Sequence, residues 1–292
     1  MKNIIVKSTD WDYRPGYQLS IIRNFLRENS AGKNYLDFSN FKFCPPLLST
    51  YFSCLVDNNP GFGHYSKPHY SYCQTINFLQ GYSPSSADDW QRYLNGFSSK
   101  SYLPLIKFST GKSEVETITR DNLISHVCQM IRQIAKLPMN YYIAINYLLS
   151  ELTDNIVDHS GHDFGWISFQ YYPSKGFLDI SLADSGIGVL NSYLAYSGEK
   201  DYSHVATHLD AIETMIRGGS TKSLKERGFG VHTSREMLVD GLNGTFVFLS
   251  GNGLLINYRL VDFGVASQGA LAFLRVPVVN LNETFNIYEY TE

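Results

Sequence analysis

Glu151, Asn155 and His159 recur at intervals of four and so share one face of any helix that carries them. A carboxylate one turn ahead of a carboxamide suits hydrolysis. The acid can orient or deprotonate a water, and the amide oxygen is a neutral ligand for a hard cation such as Mg2+. Further along, the apolar run 179–183 ends in Asp184-Ser185-Gly186-Ile187-Gly188. A carboxylate at a strand end can accept a hydrogen bond from an exocyclic amine, and two glycines let a ligand approach the main chain. A third motif, Arg227-Gly228-Phe229-Gly230, opens a helix with a glycine pair and so offers N–H groups to phosphate oxygens. Each motif taken singly also has a plain structural reading: a solvated helix face, an Asx turn, a glycine at a helix start.

The elements that must position these residues follow from periodicity and breaks. Residues 115–160 read as helical, divided at Leu137-Pro138 because proline cannot continue the hydrogen-bond ladder. The second helix, 141–160, has Leu148, Leu149, Leu152 and Ile156 as an apolar back behind the polar edge. Strands are expected at 165–172 and 177–183, joined by a turn at 173–176. A long polar stretch, 191–227, holds one helical segment around 207–216. A helix over 230–240 follows, then a hairpin of 244–249 and 254–260 around Ser250-Gly251-Asn252-Gly253, and a last strand at 270–277. Ahead of these lie a strand at 4–7, a helix at 17–26, a strand at 34–39 and a helix after Pro45-Pro46, which together make an α/β unit. Residues 57–73 read as loop, 102–108 as extended, and Gly111-Lys112-Ser113 as a boundary.

Composition narrows the function classes. The 292 residues carry a formal charge of −3 with no Lys/Arg-rich stretch, which argues against autonomous nucleic-acid binding. A hydrophobic content of 43% against 17% charged places the chain among folded globular proteins. No apolar run reaches the roughly 20 residues that span a bilayer, and the first residues lead into a strand rather than a signal peptide, so no membrane association and a cytoplasmic location are expected. The four cysteines are too few for a disulfide scaffold. Cys54, His64, His69 and Cys73 are possible zinc ligands, but with no CxxC the preferred reading is buried thiols and loop histidines. Of the 42 aromatic rings, 21 fall in residues 1–110, as in a small domain that fills its core with rings or offers them to a partner.

Taken in order, the three motifs resemble the GHKL superfamily of ATP-binding domains, which includes the gyrase B subunit, MutL, heat-shock chaperones, histidine kinases and anti-sigma-factor kinases. The resemblance covers about residues 115–279. It implies that Glu151 is the general base of the ATPase branch, with Asp154 and Asp158 completing that branch's pattern. It makes Asn155 the magnesium ligand and His159 a phosphate contact. Asp184 would bind the adenine amino group, with Gly186 and Gly188 in the same glycine box. Arg217-Gly-Gly-Ser220-Thr221-Lys222 resembles the end of a mobile lid spanning 189–227, which gives Thr221 and Lys222 to the nucleotide. Gly228 and Gly230 match the second glycine box. The segment 269–277 is similar to the closing strand, with Ala270 where a threonine is usual.

The expected fold is accordingly α/β (α+β). A GHKL-type two-layer sandwich with a mixed, largely antiparallel sheet occupies 111–280, after a STAS-like α/β domain at 1–110 and before a tail at 281–292. Ser49 or Ser39 is the candidate phosphoacceptor of the STAS-like part. The implied activity is slow, Mg2+-dependent ATP hydrolysis by a nucleotide-controlled switch that works with a protein partner or as a homodimer. Only 278–292 follow the last strand, so the lysine that gyrase-like members receive from a following domain is expected to be replaced by Lys222 or by a partner. Two alternatives stand beside this: a serine or histidine kinase, with His126 as a conceivable acceptor, and a non-hydrolysing nucleotide-gated interaction module.

Overall fold

The computed structural model describes residues 2–5, 12–29, 34–39, 41, 43–57, 65–66, 71–83, 87–219, 221, 230–282 and 284–291. In chain order these form β1 (Lys2–Ile5), α1 (Pro15–Asn29), β2 (Asn34–Asp37), α2 (Pro46–Asp57), β3 (Tyr65–Ser66), α3 (Ser71–Thr75) and α4 (Ala87–Asn95). Then come β4 (Tyr102–Ser109), α5 (Glu114–Ala135), α6 (Met139–His159), β5 (Phe164–Tyr172), β6 (Phe177–Asp184), α7 (Gly188–Leu194) and α8 (His208–Ile216). The chain closes with α9 (Gly230–Glu236), a π turn at Met237–Gly241, β7 (Thr245–Ile256), β8 (Arg259–Pro277) and α10 (Tyr288–Thr291).

Two sheets organise a mixed α/β molecule. β1, β2 and β3 pair in parallel in that order. The larger sheet runs β4-β5-β6-β8-β7 and every pairing between its strands is antiparallel. The sequence led us to expect a mixed, largely antiparallel sheet and to place β4 with the first unit. β4 is instead the edge strand of the large sheet, because Tyr102 to Ser109 take their partners from β5. Its outer edge is covered: Tyr82 N–H donates to the Leu105 carbonyl and Lys107 N–H to that of Tyr82, both at 2.8 Å.

Strand alternation divides the buried residues between two faces. Ile167, Phe169, Leu178, Ile180, Leu182, Leu274 and Val276 meet α5 and α6. Trp166, Ala183, Leu271 and Phe273 point the other way, into a cluster with Ile22, Phe38, Phe52 and Phe78. The ring-rich first half therefore does not close on itself but forms a third layer over the large sheet. α2 lies at the centre of that contact, with ten of its 12 residues buried. Its hydroxyls pair with serines of the sheet, Thr50 Oγ1 with Ser181 Oγ at 2.6 Å and Ser49 Oγ with Ser168 Oγ at 3.2 Å. Ser49 is thus sealed from solvent, which removes it as a phosphoacceptor, while Ser39 is half-buried with its N–H on Asp37 Oδ1. Arg275 Nε and Nη2 donate to Asp179 at 2.7 and 2.8 Å, and Nη2 also reaches the Tyr13 carbonyl at 2.5 Å, tying the segment before α1 to the sheet.

Several local features depart from periodicity. Ser113 caps α5 reciprocally with Glu116, and Lys136 leaves it in a left-handed conformation, so that Pro138 can start α6. The helix expected over 230–240 loosens into the π turn after Glu236. β7 is not straight. Asn257 N–H donates to the Phe246 carbonyl at 2.8 Å, and Phe246 N–H donates to Asn257 Oδ1 at 2.9 Å. A straight strand would hold those residues on the order of 35 Å apart. The chain reverses near Gly251, as the glycines suggest, and turns again at Asn257-Tyr258 into β8, within the stretch expected to be one strand. Gly251 has φ +57°, and a Cβ there would sit 1.9 Å from the His208 ring, so its glycine serves the seating of α8 as well as the turn.

Candidate functional site

Seven residues singled out by sequence converge on one cleft. Glu151, Asn155, His159, Asp184, Gly188, Thr221 and Gly230 all line a space of about 920 Å³, part of it open to solvent, between α6, the ends of β6 and β8, and α7 to α9. α6 buries Leu148, Leu149, Leu152 and Ile156, which leaves Glu151, Asn155 and His159 half-buried along the cleft edge. Asp154 and Asp158 lie outside it. Both are exposed, and Asp158 pairs with Lys112 Nζ at 2.9 Å.

Asp184 forms the floor. Its carboxyl accepts from Gly186 N–H at 2.9 Å and from the Ala270 amide, and among the described residues it has no cationic neighbour to offset the loss of water. Burial consequently pushes it up to about 6, and the two amide bonds only moderate that rise. Gly269 beside it has φ +67°, and a Cβ would fall 2.0 Å from the Asp184 carbonyl oxygen. At the opposite wall a Cβ on Gly230 would stand 2.2 Å from Glu151 Oε2 and 3.6 Å from Asn155 Nδ2. The first turn of α9 is therefore pressed against both polar groups of α6. Asn155 Nδ2 is buried without a hydrogen-bond partner, an unusual state for an amide and one that a ligand would relieve.

The segment expected to be a lid is more structured than its polarity suggests. It opens with α7, and Tyr193, Val205 and Ala211 form a small apolar cluster under it. Tyr193 Oη donates to the Gly219 carbonyl at 2.5 Å, His232 Nδ1 lies 2.7 Å from that of Ile216, and Thr221 Oγ1 lies 3.3 Å from His159 Nδ1. Gly186 does not face the cleft. It lines a second cavity behind the Asp184–Gly188 turn. Lys222 and Gly228 lie outside the described residues.

Sequence reasoning missed the apolar lining from Tyr193, Met215, Val231, Phe248 and Ala272. Only Ala272 carried a signal, as the residue two after Ala270 on the same strand face. Of the zinc candidates, Cys54 and Cys73 are buried and form no disulfide, and His64 and His69 lie outside the described residues. Among the described residues no group of three His, Cys, Asp or Glu is placed to hold a metal. Burial raises the Cys54 thiol, which hydrogen-bonds Ser185 next to Asp184, so α2 reaches the underside of the cleft floor. His126 packs edge-on against Trp90 with centroids 5.1 Å apart, and burial lowers its pKa.

No protein-family model matches the chain, and no curated protein matches it. No helix among the described residues is long and apolar enough to cross a membrane.

Proposed function

We propose that the cleft is a nucleotide site of the GHKL type and that the chain is a slow, Mg2+-dependent ATPase acting as a nucleotide-controlled switch with a partner. The observation that carries this reading is the convergence. Three motifs up to 79 positions apart, chosen for what their residues could do to a nucleotide, meet around one space. Asp184 is suited to accept a hydrogen bond from an exocyclic amine, in a slot where Met215, Phe248 and Ala272 supply apolar contact for a base. Glu151, at the wetter end, is suited to take a proton from an attacking water.

The donor set also fits Mg2+. This cation keeps several waters and takes few protein ligands besides phosphate, so a single carboxamide at Asn155 suffices where a three-residue cluster is lacking. The cation would take the Asn155 amide oxygen, while the unpartnered Nδ2 is a donor suited to a phosphate oxygen. When bound, Mg2+ would neutralise phosphate charge and polarise the bond to be broken. His159 and Thr221, already 3.3 Å apart, would hold phosphate oxygens from the lid side. None of the described lining residues is Lys or Arg. Turnover by the isolated chain is accordingly expected well below the enzyme median of about 10 s⁻¹.

In this reading residues 111–280, together with β4, form the nucleotide unit, and the first half is a STAS-like companion docked under it through α2. Hydrolysis is favoured over a kinase reading because Glu151 faces the cleft, whereas His126 packs against Trp90. Glu151→Ala tests the assignment. Phosphate release should disappear while ATP binding persists, and undiminished release would take Glu151 out of the role of base.

A further inference from the structure

The second cavity encloses about 820 Å³ of partly open space and, among the described residues, shares only Gly188 with the first. Its wall differs in kind from that of the cleft. Among its described lining residues Ile187 is the one aliphatic side chain, and there is no Asp, Glu, Lys or Arg. Gly161, Gly188, Gly251 and Gly269, all with φ between +57° and +75°, turn bare main chain toward it, so peptide groups and short polar side chains make up most of the surface.

Two histidines supply the ionisable groups. His162 Nδ1 is buried and has no hydrogen-bond partner, a state that a bound group would resolve. His208 Nδ1 lies 2.7 Å from Asn252 Oδ1. The Asn252 amide nitrogen donates to Asp262 Oδ1 at 3.0 Å, so its oxygen is the acceptor and His208 Nδ1 carries the proton. Neutral His208 then keeps Nε2 as an acceptor, and protonated His208 turns it into a donor. A cation would meet no carboxylate here, and an apolar ligand would leave polar groups unpaired. A small ion with both acceptor oxygens and a hydroxyl satisfies both rings.

We propose that this cavity is a binding site for a small oxyanion of the phosphate class, with His162 as its anchoring donor and His208 as the second contact. It is separate from the nucleotide cleft and does not depend on that reading. The occupant would rest against the Ser185–Gly188 turn that follows Asp184, so the two sites share one wall.

The test uses the full chain without nucleotide. Inorganic phosphate is titrated against chloride at equal ionic strength, with the unfolding midpoint and the His162 imidazole proton resonance as readouts. A saturable rise in midpoint and a saturable His162 shift are expected in the wild type and equally in His159→Ala, which lacks the phosphate contact of the main cleft. Binding should weaken at least tenfold in His162→Ala and recover in large part in His162→Asn, whose amide can replace Nδ1. If His162→Ala does not fold, the wild-type resonance decides alone. No saturable response, an equal response in His162→Ala, or a response abolished by His159→Ala would each overturn the proposal, the last by putting phosphate in the main cleft.

Discussion

Asp184→Asn should make the empty protein more stable while taking away its ligand. The carboxyl is moved from its ordinary 3.8 to about 6 by burial, with only main-chain amides among the described residues to compensate. At about 1.4 kcal/mol per pH unit, holding it ionised in the fold costs about 3 kcal/mol at pH 7.5. The sign follows from the raised value. Below about 3.8 both folded and unfolded chains carry the proton and nothing is lost, and the penalty then grows as pH rises through about 6. Asparagine has the same shape and is never charged. It weakens one amide bond, at about 1 kcal/mol, which leaves a net gain of about 2 kcal/mol at pH 7.5. At pH 4.5 the ionisation penalty is only about 1 kcal/mol, and variant and wild type should coincide. Urea unfolding followed by tryptophan fluorescence at the two pH values measures this directly. A variant equally or less stable than wild type at both would refute the reasoning, because Asp184 would then not be a strained, uncompensated charge.

The neighbouring buried aspartate gives the opposite expectation. Asp179 is also raised by burial, but it is the acceptor of two bonds from Arg275, so Asp179→Ala should lose about 3 kcal/mol by leaving that guanidinium with neither acceptor nor counter-charge, again read by urea unfolding. Gly230→Ala would push the Glu151 carboxylate aside; the flexible acid can yield, so stability should change by less than about 1 kcal/mol while phosphate release falls about a hundredfold or more in a coupled assay. Gly269→Ala combines a left-handed backbone with a clash against the Asp184 carbonyl and should cost about 2–4 kcal/mol, seen as a lower thermal midpoint.

How much of this was legible in the sequence depended on how local each cause was. α6 was readable because its apolar repeat and Pro138 lie within a few turns of the residues they position. Gly251 was readable as a turn because its constraint lies in its own backbone. β8 was not, since Asp262, Ser267 and Gln268 interrupt its pattern and the strand continues only because β7 folds back beside it. α7 was hidden in a polar stretch and is held by distant contacts such as Val189 N–H to Ser250 Oγ at 3.0 Å. The largest difference, a first half that covers the sheet, rests on polar pairs more than a hundred residues apart. Ser168 and Ser181 look like the solvent side of their strands until Ser49 and Thr50 arrive over them. Asp179 misleads in the same way, because its partner Arg275 is 96 positions away. The cleft's polar residues were legible by type and spacing, and its apolar lining was not, since Tyr193, Met215 and Phe248 differ in no local respect from core side chains.

The central claim is tested most directly by the stabilisation that ATP with Mg2+ confers on the wild type and on Asp184→Asn. A ligand at a hundred times its dissociation constant adds about 2.7 kcal/mol to a fold that it binds selectively. The account predicts a saturable rise in the unfolding midpoint of the wild type with ATP, little with GTP, and none in Asp184→Asn at the same concentration. An equal rise in both proteins, or none in the wild type, would contradict it.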